Sequence, residues 1–98
     1  MFVLALSIEL HLPDCRSLKD RRAAVRPMLD GARHRFRVSA SEVGHQERWQ
    51  RAELGFAVVA ATPGHATEVM DGVERFVWSF PEAEVIGSAR HWLELEED

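Results

Sequence analysis

His45, Gln46, Arg48 and Gln50 stand together in the stretch SASEVGHQERWQRAELG, residues 39–55, between two apolar segments. Glu42, Glu47, Glu53, Trp49 and Arg51 share the stretch, making it the most chemically equipped part of the chain. Histidine is the side chain whose ordinary pKa lies nearest neutrality, so His45 beside Cys15 or Glu42 would form a proton-transfer or nucleophilic pair. The amides and guanidinium groups can instead hold an anion by hydrogen bonding. A second group is purely cationic. Lys19, Arg22, Arg26 and Arg33 follow at spacings of three, four and seven, which places them along one side of a helix. Arg16, Arg21, Arg35 and Arg37 flank that row. Such a row can track phosphates, because each Lys or Arg contact releases condensed counterions. It can equally be a solvated outer face that Asp20 and Asp30 partly neutralise. Its one-sidedness favours the first reading.

These groups need elements to position them. In FVLALSIELHL, residues 2–12, Phe2, Leu4, Leu6, Ile8, Leu10 and Leu12 alternate with Val3, Ala5, Ser7, Glu9 and His11, the period of a strand. Pro13 closes it, and Ser17 with Asp20 forms an S-x-x-D start for a helix. Leu18, Val25, Leu29, Ala32 and Phe36 form that helix's apolar stripe. Pro27 and Gly31 fall inside it, and a kink at Pro27 is expected, since the stripe continues beyond. FRVSASEV and ELGFAVVAA read as two strands joined by the polar stretch, with Trp49 folded back over the core end and Glu42 paired with Arg51. TPGHATEVMDGVERFVWSF reads as a second helix capped by Thr62 or Thr67. PEAEVIGSARHWLEL reads as a last strand whose two faces are not distinguished by pattern. Residues 1–95 make one domain, and 96–98 an acidic tail.

The order β-α-β-β-α-β is that of an α+β ferredoxin-like fold. Right-handed crossovers give the antiparallel sheet the order 4-1-3-2, with both helices on one face. The open face then carries Val3, Ala5, Ser7, Glu9, His11, Ser39, Ser41, Gly55, Ala57 and Val59. It offers no aromatic on the central strands, so base stacking of the RNA-recognition-motif kind is not expected there. Small side chains suit another sheet or chain, which gives an alternative function: a homodimeric interaction module or small-ligand module using this face, with an edge strand as the other place two copies could meet. Acylphosphatases and copper chaperones share the topology. The chain has no Asn for the first chemistry and no C-x-x-C for the second. A catalytic Cys15–His pair has no visible pocket or oxyanion site, and Cys15 reads as an incidental loop residue. His11 and His91 lie near opposite ends of neighbouring strands, and His34 and His65 belong to different helices. No metal site and no cofactor are expected.

The whole chain reads as a soluble globular protein, and with no catalytic constellation in it an enzyme is not expected. Its 98 residues, 46% hydrophobic and 29% charged, suit one soluble domain. No apolar run reaches the ~20 residues a membrane helix needs, so no membrane partner is expected. The N-terminus lacks the basic start of a signal peptide, and one cysteine fits a reducing cytoplasm. The net charge of -4 is unevenly placed. Residues 1–51 hold ten Lys/Arg against six Asp/Glu, and residues 52–98 hold two against ten. A polyanion could therefore dock on one side of an acidic protein, unless the halves simply neutralise each other.

The segment from Glu9 to Ala60, ELHLPDCRSLKDRRAAVRPMLDGARHRFRVSASEVGHQERWQRAELGFAVVA, resembles the bacterial YlxP-like family, a domain of unknown function. The likeness rests on Ser17, Leu18, Lys19 and Arg22, on Ser39, Glu42 and Val43, and on the specific HQ-x-x-WQR run. That run places His45, Gln46, Trp49, Gln50 and Arg51 ahead of Leu54 and Gly55, and PEAEV near the last strand fits as well. Cys15 and Pro27 are local departures. The resemblance implies a ferredoxin-like cytoplasmic protein with no assigned activity, whose genes commonly lie beside those for translation initiation and ribosome maturation. The expected function is a non-catalytic accessory factor. It would touch ribosomal RNA or a ribosome-associated protein through Arg16, Lys19, Arg22, Arg26, Arg33, His45, Gln46, Arg48 and Gln50.

Overall fold

In a computed structural model, residues 1–96 are described. The expected tail at 96–98 lies outside them except for Glu96. The elements are β1 (Phe2–His11), α1 (Leu18–Phe36), β2 (Ser39–Gly44), β3 (Arg51–Ala60), α2 (Pro63–Trp78) and β4 (Glu84–Glu94). The sheet runs β2-β3-β1-β4 with every neighbouring pair antiparallel, the expected order read from the other edge.

Alternation in β1 becomes burial. Leu4, Leu6, Ile8 and Leu10 are fully buried with Val25, Met28, Leu54, Met70 and Val73, while Val3, Ala5, Ser7, Glu9 and His11 are half-buried on the opposite face. Each such buried Leu or Ile contributes about 1.5–3 kcal/mol relative to exposure. Register settles the faces of β4: Val3 is opposite Leu93, Ala5 opposite His91 and Ser7 opposite Ala89. Leu93, His91 and Ala89 therefore join the open face, and Trp92, Arg90 and Ser88 point to the helix side.

Ser17 Oγ accepts from the Asp20 N–H at 3.0 Å, and Asp20 Oδ2 accepts from the Arg16 N–H at 3.1 Å. These bonds fix the start of α1. The helix passes Pro27 without ending. Pro27 and Ala23, whose carbonyl loses its partner, are both exposed, so water can replace the bond. The helix stops at Arg37, which adopts φ 56° and donates its N–H to the Arg33 carbonyl at 3.1 Å. That left-handed turn delays β2 to Ser39, so the strand expected from Phe36 starts three residues later. Thr62 caps α2 by accepting from the His65 N–H at 3.2 Å, with Pro63 at the first helical position.

The helices meet through two reciprocal contacts. Gly31 of α1 lies under the Phe76 ring of α2, and Gly72 of α2 lies under the Phe36 ring of α1. A Cβ would sit 2.3 Å from Phe76 Cζ at the first site and 2.7 Å from Phe36 Cε1 at the second. Gly31 thus lowers helix propensity in exchange for close approach. The Phe36 and Phe76 centroids are 6.0 Å apart, and Phe80 stands edge-on to Phe76 at 5.1 Å.

Candidate nucleic-acid interface

α1 turns Lys19, Arg22, Arg26 and Arg33 outward, all exposed. Arg22, Arg26 and Arg33 line a groove of about 290 Å³ between α1 and β2, with Asp30 and Glu42 in its walls. Lys19, Arg22 and Arg26 also border a shallow depression on the outer side of the helix. Arg33 is anchored, with Nη1 2.9 Å from Asp30 Oδ1 and Nη2 donating to the Ala40 carbonyl at 2.5 Å. The side chains of Lys19, Arg22 and Arg26 make no ion pair or hydrogen bond among the described residues, so their charges are directed at solvent.

Arg21 departs from the expected flanking role. It is 2% exposed on the core-facing side of α1, donating Nε–H to the Arg51 carbonyl at 2.9 Å and holding Glu42 Oε1 2.5 Å from Nη1. Glu42 therefore pairs with Arg21, not with the Arg51 side chain. Spacing carries the signal: Arg21 precedes Val25 by four residues and sits on the apolar stripe.

The hairpin groups separate. His45, at φ 59°, sends its ring to the open sheet face, where Nε2 lies 2.6 Å from Glu9 Oε1. The hydrogen bond and charge of His45, aided by Arg51, hold the Glu9 carboxyl below its ordinary range. Beside it Ser7 Oγ donates to Glu53 Oε2 at 2.8 Å, and Glu9 and Glu53 are cross-strand partners. Gln46 donates to the Glu42 carbonyl at 3.4 Å. Gln50 ties the hairpin to the β1–α1 loop, donating to the Pro13 carbonyl at 3.1 Å and the Cys15 carbonyl at 3.4 Å. The Leu12 N–H donates to the Gln50 carbonyl at 2.9 Å. Gln50 is thus a brace, and through it Arg48 and Trp49 are held next to the segment bearing Arg16.

Trp49 does not fold over the core. It is 54% exposed, flanked by Arg48 and Arg51 along the rim of the hairpin. An exposed indole among guanidinium groups can stack a base, a role that the expected packing of Trp49 concealed. At the start of α1 the Asp20 carboxylate accepts from the Arg16 N–H just before the cap, placing a negative charge at the helix's positive end.

Other chemistry finds little footing. Cys15 is buried, and its thiol is pushed up by burial and by Asp20 and Asp14, opposite to what a nucleophile requires. His45 meets Glu9 and not Cys15 or Glu42. His11 meets Glu84 at 3.2 Å, away from His91, which lies opposite Ala5. Among the described residues, no three His, Cys, Asp or Glu side chains are placed to hold one metal ion. No helix among them is long and apolar enough to cross a membrane.

The fold and surface define a small ferredoxin-like α+β protein with a cationic helix beside a polar hairpin. A family model described as a protein of unknown function, DUF503, matches residues 3–90, and the chain belongs to that family. It is 35% identical to the uncharacterized protein YlxP of Bacillus subtilis (strain 168) over 85 residues, 87% of this chain and 92% of that protein.

Proposed function

We propose that this protein is a non-catalytic RNA-binding accessory factor that docks on ribosomal RNA. The observation that carries the reading is the row of Lys19, Arg22 and Arg26, exposed on one side of α1 and without an ion pair among the described residues, continued by Arg33. Cations without internal partners are free to neutralise phosphates. Arg16 extends the row toward the hairpin, where Arg48 adds charge and Trp49 adds a stacking surface. The amide of Gln46 serves the hairpin backbone, that of Gln50 serves the β1–α1 loop, and His45 serves the sheet, so these three support the site without facing the RNA.

Gradient co-sedimentation with ribosomal subunits tests this. The wild-type protein is expected to comigrate at low salt and to dissociate steeply as salt rises. An Arg22/Arg26/Arg33→Glu variant with unchanged circular dichroism is expected to stay at the top of the gradient. Trp49→Ala is expected to weaken binding about fivefold or more while leaving the salt slope nearly unchanged, since a stacked base contributes about 1–3 kcal/mol without releasing counterions. Absence of comigration at low salt sinks the reading.

A further inference from the structure

We infer that two copies of this chain join through the free edge of β4, antiparallel and centred on Trp92, to continue the sheet across a two-fold axis. The two edges of the sheet are finished differently. On β2, the Ala40 and Glu42 carbonyls, two residues apart and so aimed the same way, are taken by Arg33 Nη2 at 2.5 Å and Gln46 Nε2 at 3.4 Å. On β4 no such cover exists among the described residues. The Leu95 N–H donates to the Met1 carbonyl at 2.9 Å, and the Met1 amino group donates to the Leu95 carbonyl at 3.2 Å. This pair exchanges both bonds, and an antiparallel ladder alternates. With Leu93, His91 and Ala89 following in unbroken register, the N–H and C=O groups of Ser88, Arg90, Trp92 and Glu94 point away from β1.

An uncovered edge is a template for another strand, and the side chains beside this one are apolar. Ile86, Trp92, Leu93 and Leu95 are between 40% and 53% exposed, the densest run of large exposed apolar residues among those described. The charges say which strand fits. A two-fold axis at Arg90 or at Glu94 sets like charges face to face. An axis at Trp92 sets Arg90 against the partner's Glu94 on both sides, pairs the two indoles, and places His91 across from the partner's Leu93. Arg90 has room for this: Nε and Nη2 hold Glu74 and Asp71, and Nη1 carries no hydrogen bond among the described residues. The strand is complementary to itself, so a second copy is the partner it specifies. Pairing over residues 90–94 adds about six main-chain hydrogen bonds.

Sedimentation equilibrium on the full chain tests the assembly. The wild-type protein is expected at twice 11.1 kDa. Trp92→Pro removes an N–H that β1 does not use, which an edge strand tolerates, and the variant is expected at 11.1 kDa with unchanged circular dichroism. Glu94→Arg, which opposes the partner's Arg90, is expected to weaken association at least tenfold, and it decides the matter if the proline variant fails to fold. Ala57→Arg on the open face is expected to leave the dimer intact. A wild-type monomer at every concentration overturns the inference. So does a dimer unaffected by Glu94→Arg, or one dissociated by Ala57→Arg, which would move the contact to the open face.

Discussion

Arg21 lies on the core side of α1 because Glu42, on the edge strand beneath, supplies its counter-charge. Removing one member of such a pair leaves the other buried and uncompensated. Glu42→Gln is therefore expected to cost on the order of 3 kcal/mol in urea unfolding. Arg21→Met combined with Glu42→Leu is expected to recover most of that loss, because an apolar pair needs no mutual charge. The periodicity of α1 shows Arg21 on the apolar stripe, but only the placed strand shows why an arginine belongs there. His45 and Glu9 make a looser pair, 36 residues apart and joined only by the fold. The Glu9 carboxyl titrates below its ordinary value, so the contact's stabilisation is complete above that value and is lost as pH falls through the lowered one. His45→Asn, which tolerates the left-handed backbone, is expected to raise the Glu9 pKa toward the ordinary range. Carboxyl-carbon NMR titration would show it, and an unmoved Glu9 would assign the lowering to Arg51.

Among the elements, β1 and α2 were the most readable from sequence, because strict two-fold and 3.6-fold periods leave little ambiguity. The start of β2 was not, since Phe36 suits the last turn of α1 as well as a strand and the decisive event is the left-handed turn at Arg37. The faces of β4 could not be read from its pattern, because apolar residues occur on both; pairing with β1 decides them. Trp49 differs from its expected packing for a related reason: its size and apolar ring suit the core, and only the geometry of the turn carries it to the surface. The helix–helix contact depends on two glycines that propensity alone counts as defects. Gly72→Ala gains about 1 kcal/mol of helix propensity. Its methyl group nevertheless meets the Phe36 ring, and a net loss of about 1–2 kcal/mol is expected from thermal unfolding. A stabilised variant would mean that the ring shifts freely.

Across the whole molecule, the uneven charge of the two chain halves becomes an uneven charge in space. The cations of α1 lie along the β2 side, where Arg33 reaches Ala40, while Asp71 and Glu74 of α2 surround Arg90 on the β4 side. The polarity of the molecule is thus legible in the count of charges along the chain. Pairing through β4 puts the two cationic helices at opposite ends of an eight-stranded sheet. A two-fold axis normal to the sheet keeps both on the same face. With strands about 4.8 Å apart, the outermost strands are separated by roughly 34 Å.

The small bonds from Arg33 and Gln46 to the β2 backbone acquire a different meaning at this scale. A sheet open at both margins can recruit copies without end and grow into a fibril. A sheet with one margin sealed by its own side chains can grow in one direction only, and a symmetric partner exhausts that direction. In a dimer joined through β4, Arg33 and Gln46 would act as chain terminators, holding its size at two through contacts that lie far from where the copies meet.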